Sequence, residues 1–202
     1  MATESEKDVL HGYLTAARDA MVWKLDGLDE YDIRRPLVPT GTNLLGLVKH
    51  VASVADGYFG EVFDRPSDEP LPWFDEDAEP NADMWATPEE SRADILALWA
   101  RAWDRVDATI QVLDLDAVGH VPWWGDEHSH PTLHTILVHM IAETNRHAGQ
   151  ADIVRELIDG SVGHRADNSN LPEEDDAWWV DYRARVEAAA DQAASAPPGP
   201  TS

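Results

Sequence analysis

The stretch 133-LHTILVHMIAETNRHAGQADIVRELI-158 decides the fold. At about 100° per residue, Leu133, Ile136, Met140, Val154 and Ile158 fall in one stripe, which predicts a long amphipathic helix from Leu133 to near Gly160. Glu143, His147 and Gln150 fall near the middle of the same stripe. The helix therefore turns a carboxylate, an imidazole and an amide toward the core. Burying an unpaired carboxylate costs several kcal/mol, so this placement calls for a partner.

Three further segments carry the same period. The first runs from Ser5 to Leu28, with Val9, Leu10, Tyr13, Leu14, Ala17, Met21 and Leu25 recurring at i, i+3 and i+4. The second is predicted from Asn43 to Phe63, with Thr42 as its N-cap. The third starts at Thr87-Pro88-Glu89-Glu90, a capping-box pattern with proline at the first helical position, and reaches Leu113. Between them lie DIRRPLVPTGT, an acidic Pro-rich stretch from Asp64 to Trp85, and a loop carrying PWWGDEHSHP, all interrupted by Pro and Gly. No strand alternation stands out. Four amphipathic helices of this length predict an all-α fold, a four-helix bundle over residues 1–160. Residues 161–194 read as an extension with a short C-terminal helix, and 195–202 as a disordered tail.

Asp and Glu number 39 against 15 Lys and Arg, a formal charge of −24. A surface of that sign has no grip on nucleic acid phosphates and is repelled by anionic membranes. No apolar run is long enough to span a bilayer, and MATESEKDVL lacks the features of a secretory signal, so a cytoplasmic protein is expected. The absence of cysteine removes disulfides, thiolate metal sites and a protein thiol nucleophile. Any sulfur chemistry must use a thiol that arrives as a substrate.

Glu143 and His147, spaced i, i+4, stack on one helix face and can converge on one divalent ion. A catalytic metal site takes three protein ligands, and His50 of LLGLVKHVASV, at the margin of its helix's apolar arc, is the third candidate. A hydrogen-bonded structural Glu/His pair would leave the same trace. His139 lies one turn before Glu143 but about 60° off the stripe centre, on the flank. Gln150 is placed to orient a ligand or a bound water, or to be an interior amide. His128 and His130 offer a second, looser metal pattern on the loop. Trp123 and Trp124 either wall a pocket or seal the bundle end, and Arg34 and Arg35 either attract an anion or pair on the surface.

RRPLVPTGTNLLGLVKHVASVADGYFGEVF together with HMIAETNRHAGQADIVRELIDG resembles the DinB/YfiT-like superfamily, in particular its subgroup related to mycothiol-dependent transferases, from about Val9 to Gly160. The resemblance implies a homodimeric four-helix bundle holding a divalent metal with one histidine of the second helix and two ligands of the fourth. Those positions match His50, Glu143 and His147, the glutamate being characteristic of the maleylpyruvate isomerase-like branch. Related sequences often read HAGH where this one reads HAGQ, so Gln150 stands where a histidine supporting the site would be. The resemblance implies a metal-dependent transferase that activates a low-molecular-weight thiol of the mycothiol kind against a small electrophile. A hydrolase using metal-bound water and a non-enzymatic binding protein are the alternatives. Imidazole and carboxylate ligands suit Zn²⁺ first, with Ni²⁺, Fe²⁺ or Mn²⁺ as other occupants.

Overall fold

Capping chemistry sets most helix boundaries in the computed structural model, which describes residues 4–195. Helix α1 (Glu6–Val22) starts at a capping box in which Ser5 accepts from the Asp8 N–H and the Asp8 carboxylate reaches back to Ser5. It ends earlier than its periodicity suggests, tightening into a 3₁₀ turn over Trp23–Leu25. A short α2 (Glu30–Arg34) follows, capped by Asp29. Helix α3 (Leu44–Phe59) is capped by Asn43, not Thr42: the Asn43 carbonyl oxygen accepts from the Gly46 N–H at 2.7 Å. It stops at Gly60, and Glu61–Phe63 form a separate 3₁₀ turn.

Helix α4 (Arg92–Val112) starts later than expected. Ser91 and Asp94 form its capping box, whereas Thr87-Pro88-Glu89-Glu90 makes a turn outside the helix. The Glu90 carboxylate does accept from the Thr87 N–H at 2.7 Å, which is half of the predicted box. Its other commitment, an ion pair with Lys49 at 2.8 Å, belongs to tertiary structure and leaves Ser91 to open the helix. Helix α5 (Leu133–Asp159) is capped by Thr132 and closed by Gly160 in the left-handed conformation.

Helices α1, α3, α4 and α5 form the bundle, with α3 packed on both α4 and α5, and α1 on α5. α3 is buried around most of its circumference, in keeping with its predominantly apolar sequence. Leu45, Leu47, Val51, Ile136, Met140 and Val106 are fully enclosed at the centre. The fold is all-α; among the described residues only two isolated β-bridges occur, one of them joining Val118 to Thr132. No helix is long and apolar enough to cross a membrane among the described residues.

Chain contacts divide the molecule into a unit ending at Ser169 and a second from Asn170. The second contains α6 (Asp176–Ser195), where Trp178 and Tyr182 stack face to face at 5.1 Å. Ser195 ends this helix, and the rest of the expected disordered tail lies outside the described residues.

Candidate metal centre

Two elements bring the predicted residues together. On α5, the i, i+4 spacing sets His147 Nε2 3.0 Å from Glu143 Oε1. From α3, His50 Nε2 reaches the same carboxylate oxygen at 3.5 Å. The two imidazole rings meet edge to face with centroids 4.7 Å apart. One potential ligand atom from each residue lies within 4.8 Å of the others, and no second such group forms among the described residues.

Each imidazole is fixed from behind. His50 Nδ1 lies 2.5 Å from Asp83 Oδ2, and His147 Nδ1 lies 2.8 Å from Gln150 Oε1. A neutral imidazole has a single N–H. Donated backwards to Asp83 or Gln150, it leaves Nε2 with a lone pair turned toward the Glu143 carboxylate. Two lone pairs and an anion aimed at one point repel each other unless a cation, or an added proton on each ring, lies between them. The donor set of two imidazoles and one carboxylate thus fits a divalent ion, and the outer hydrogen bonds are those that usually orient metal-ligating histidines. Burial alone would raise the carboxyl pKa of Glu143 and of Asp83; hydrogen bonds and charge from the histidines outweigh it and hold both below the ordinary range.

Asp83 is absent from the predicted set, and its presence depends on how its loop is held. The short 3₁₀ turn Ala82–Met84 is fastened along α3 at successive turns. Asn43 Nδ2 donates to the Met84 carbonyl at 3.1 Å. Gly46 leaves room for that carbonyl, since a Cβ there would sit 1.8 Å from Met84 O. Lys49 then donates to the carbonyls of Ala82 and Trp85 at 2.9 and 3.0 Å, pairs with Glu90, and lies 4.0 Å over the Trp73 ring. The Lys49 side chain is 2% exposed. A lysine amid the apolar residues of α3 was the sequence signal for this loop. Nothing in the spacing distinguished Asp83 from the other acids around it.

The remaining candidates fall elsewhere. His139 packs its ring against Tyr58 and Trp124 with centroids 4.9 and 5.2 Å apart. It lines a cleft of about 870 Å³ that also reaches Glu143. The indole N–H groups of Trp123 and Trp124 both donate to the Tyr58 hydroxyl. His128 is exposed, and His130 stacks on His120 at 4.9 Å. Arg34 pairs with Glu30 and donates to the carbonyls of Ala86, Thr87 and Glu90, while Arg35 pairs with Asp32. Both arginines are thereby structural.

A family model described as mycothiol S-transferase matches residues 9–160. The chain belongs to the mycothiol S-transferase family. Among solved structures, a conserved protein from Enterococcus faecalis superimposes with a TM-score of 0.60 over 79% of this chain and 100% of its own, at 15% identity. That similarity concerns the fold. No curated protein matches the sequence significantly. The residues matched by the mycothiol S-transferase model contain the whole candidate centre, Asp83 and Gln150 included.

Proposed function

We propose that the protein is a metal-dependent transferase in which His50, Glu143 and His147 hold a divalent ion, zinc by preference, and a low-molecular-weight thiol of the mycothiol kind is the nucleophile. The observation that carries this reading is the convergence of the three side chains on one point, with each imidazole Nδ1 within hydrogen-bond distance of Asp83 or Gln150 and each Nε2 turned toward Glu143. Family membership supports the thiol and the transfer. When bound, the ion would supply positive charge that favours the deprotonated form of an incoming thiol.

The chain's own residues prepare that chemistry. Glu143 contributes one negative charge and the neutral imidazoles none, so an ion of charge +2 would retain an excess of one positive charge to attract a thiolate. With no cysteine in the sequence, no protein thiol competes for the position. The cleft beside Glu143 gives a second reactant access to the centre. In the transfer, the thiol sulfur forms a bond to an electrophilic carbon while that carbon's bond to its leaving group breaks, and the thiol proton leaves with the departing group or to solvent. The site residues lie on one chain, and the homodimer implied by family resemblance enters the proposal as an assembly of two such sites.

Elemental analysis of the purified protein tests the metal, with about one equivalent expected in the native chain and loss of uptake in His147→Ala. Less than about a tenth of an equivalent after supplementation with Zn²⁺, Ni²⁺, Fe²⁺ and Mn²⁺ would remove the basis of the proposal. Incubation with mycothiol and a panel of electrophiles, read by mass spectrometry, tests the transfer. S-conjugates that depend on the loaded protein are expected; turnover that proceeds without any thiol would replace the transferase by a hydrolase.

A further inference from the structure

The cleft beside Glu143 has a defined electrostatic and hydrogen-bonding character. Four carboxylates, from Asp56, Glu61, Glu69 and Glu143, contribute to its lining, and no lysine or arginine does. Two of the four are committed outward: Asp56 to Arg105 at 2.6 Å and to Ser67 at 2.7 Å, and Glu69 to both nitrogens of the Arg101 fork at 2.6 and 2.7 Å. Glu61 is exposed at the rim. Val54, Leu71 and Phe74 supply apolar wall. In the metal-free chain, an anionic ligand would meet the carboxylates of Glu61 and Glu143 with no lysine or arginine on the lining to offset them, whereas a neutral body with apolar surface is accommodated.

One polar group in this wall is restricted to a single role. Tyr58 is 7% exposed, and its hydroxyl receives the indole N–H of Trp124 at 3.1 Å and that of Trp123 at 3.3 Å. A phenolic oxygen has one proton and two main acceptor directions. Both acceptor directions are taken by indoles, and the hydroxyl finds no acceptor for its own proton among the described residues. Its ring is clamped by His139 at 4.9 Å and by Trp123 at 5.5 Å, so the oxygen cannot swing away. The indoles are delivered by the loop before α5, which is tied to the bundle by the His120 N–H to the Val62 carbonyl at 2.8 Å. Gly119 permits that approach, because a Cβ there would lie 2.7 Å from Val62 O. The arrangement produces a fixed hydrogen-bond donor at the wall of an acidic, partly apolar cleft.

We propose that this cleft binds an uncharged electrophile carrying a hydrogen-bond-accepting oxygen, such as a carbonyl, and that the Tyr58 hydroxyl, locked as a donor by Trp123 and Trp124, holds that oxygen. The term electrophile rests on the transferase reading; the ligand class rests on the cleft alone. A donated hydrogen bond to a carbonyl both orients the substrate and draws electron density from the carbon to be attacked.

The test uses the full chain without added metal or thiol, so its outcome is independent of whether the protein is a transferase. Dissociation constants are measured by ligand-observed NMR for three probes of one shape: acetophenone, ethylbenzene and 4-acetylbenzoate. Acetophenone is expected to bind about fivefold tighter than ethylbenzene, the size of one partly exposed neutral hydrogen bond. It should bind about tenfold tighter than 4-acetylbenzoate, whose carboxylate faces the acidic lining. Tyr58→Phe, which keeps the ring, should abolish the advantage over ethylbenzene and leave ethylbenzene binding unchanged. Trp123→Phe with Trp124→Phe should reduce the same advantage while Tyr58 remains, and carries the test should Tyr58→Phe fail to fold. Equal binding of acetophenone and ethylbenzene, a preference for 4-acetylbenzoate, or an undiminished preference for acetophenone in the variants would each overturn the proposal.

Discussion

Glu143, His147 and Gln150 occupy two turns of one helix, whereas His50 meets Asp83 across 33 residues of chain. The first half of the centre is local: helical geometry alone stacks residues three and four apart. The second half exists only while the Ala82–Met84 turn is fastened to α3, and the fastening is a buried cation, Lys49, shared among two carbonyls, Glu90 and the Trp73 face. A locally built half tolerates damage elsewhere, and a half built across the chain inherits the stability of its fastening. The two outer hydrogen bonds also differ in kind, with a carboxylate behind His50 and a neutral amide behind His147. Charge-assisted hydrogen bonds are roughly twice as strong as neutral ones, so the half that depends on the fastening also has the stronger support for its imidazole.

Cutting the fastening should separate the halves most completely. Lys49→Met leaves Glu90 without its ion-pair partner and two carbonyls without their lysine donor, and urea denaturation should show a loss of about 3 kcal/mol, in the range for removing one partner of a buried ion pair. In the folded fraction, hydrogen exchange should rise in residues 82–90 and remain unchanged in 143–150. Equal exchange in both segments would mean that Lys49 supports the bundle generally and not the loop.

A smaller effect follows from replacing each outer acceptor. Asp83→Asn should weaken zinc affinity about 10- to 100-fold in a competition titration against a chromophoric chelator. Gln150→Leu should cost about tenfold, the lower end of the same range, because the bond it removes is neutral. A larger loss from Gln150→Leu than from Asp83→Asn would reverse the ranking of the two halves.

The smallest effect is expected at the far end of α5, where Arg155 holds the Lys24 and Asp26 carbonyls and pairs with Asp159 at 2.7 Å. Hydrogen bonds, from Arg155 first and then from Ser161, outweigh burial and lower the Asp159 carboxyl from 3.8 to about 2. Its folded pKa lies below its unfolded one, so the unfolded chain takes up the proton first as pH falls. The stabilisation is present above about pH 4 and disappears as pH drops through about 2. With a third of the Asp159 side chain exposed, solvent screening keeps it under about 1 kcal/mol. Asp159→Asn should flatten the acid limb of the stability curve between those pH values and leave zinc affinity unchanged.

Legibility followed the same division. Periodicity located α1, α3, α4 and α5, and helical spacing put Glu143, His147 and Gln150 on one face. Boundaries shifted where a side chain served a distant partner: Glu90 went to Lys49, and Ser91 took over the start of α4. The Asn43 cap replaced Thr42 because its amide serves twice, accepting from Gly46 through oxygen and donating to Met84 through nitrogen. His139 lay on the flank where the wheel put it, but its role as cleft wall depends on Tyr58 and Trp124 arriving from other elements.

Periodicity and charge in the chain determined an all-α bundle and the inward presentation of Glu143 and His147, because those properties depend only on residues a few positions apart and on the pitch of a helix. Tertiary structure decided that Asp83, among many acids of an irregular loop, would stand behind His50, and that two indoles would saturate Tyr58. Both depend on where loops are fastened, by a buried lysine beneath one and a glycine beneath the other. Such contacts join residues with no fixed spacing along the chain, so no local pattern encodes them.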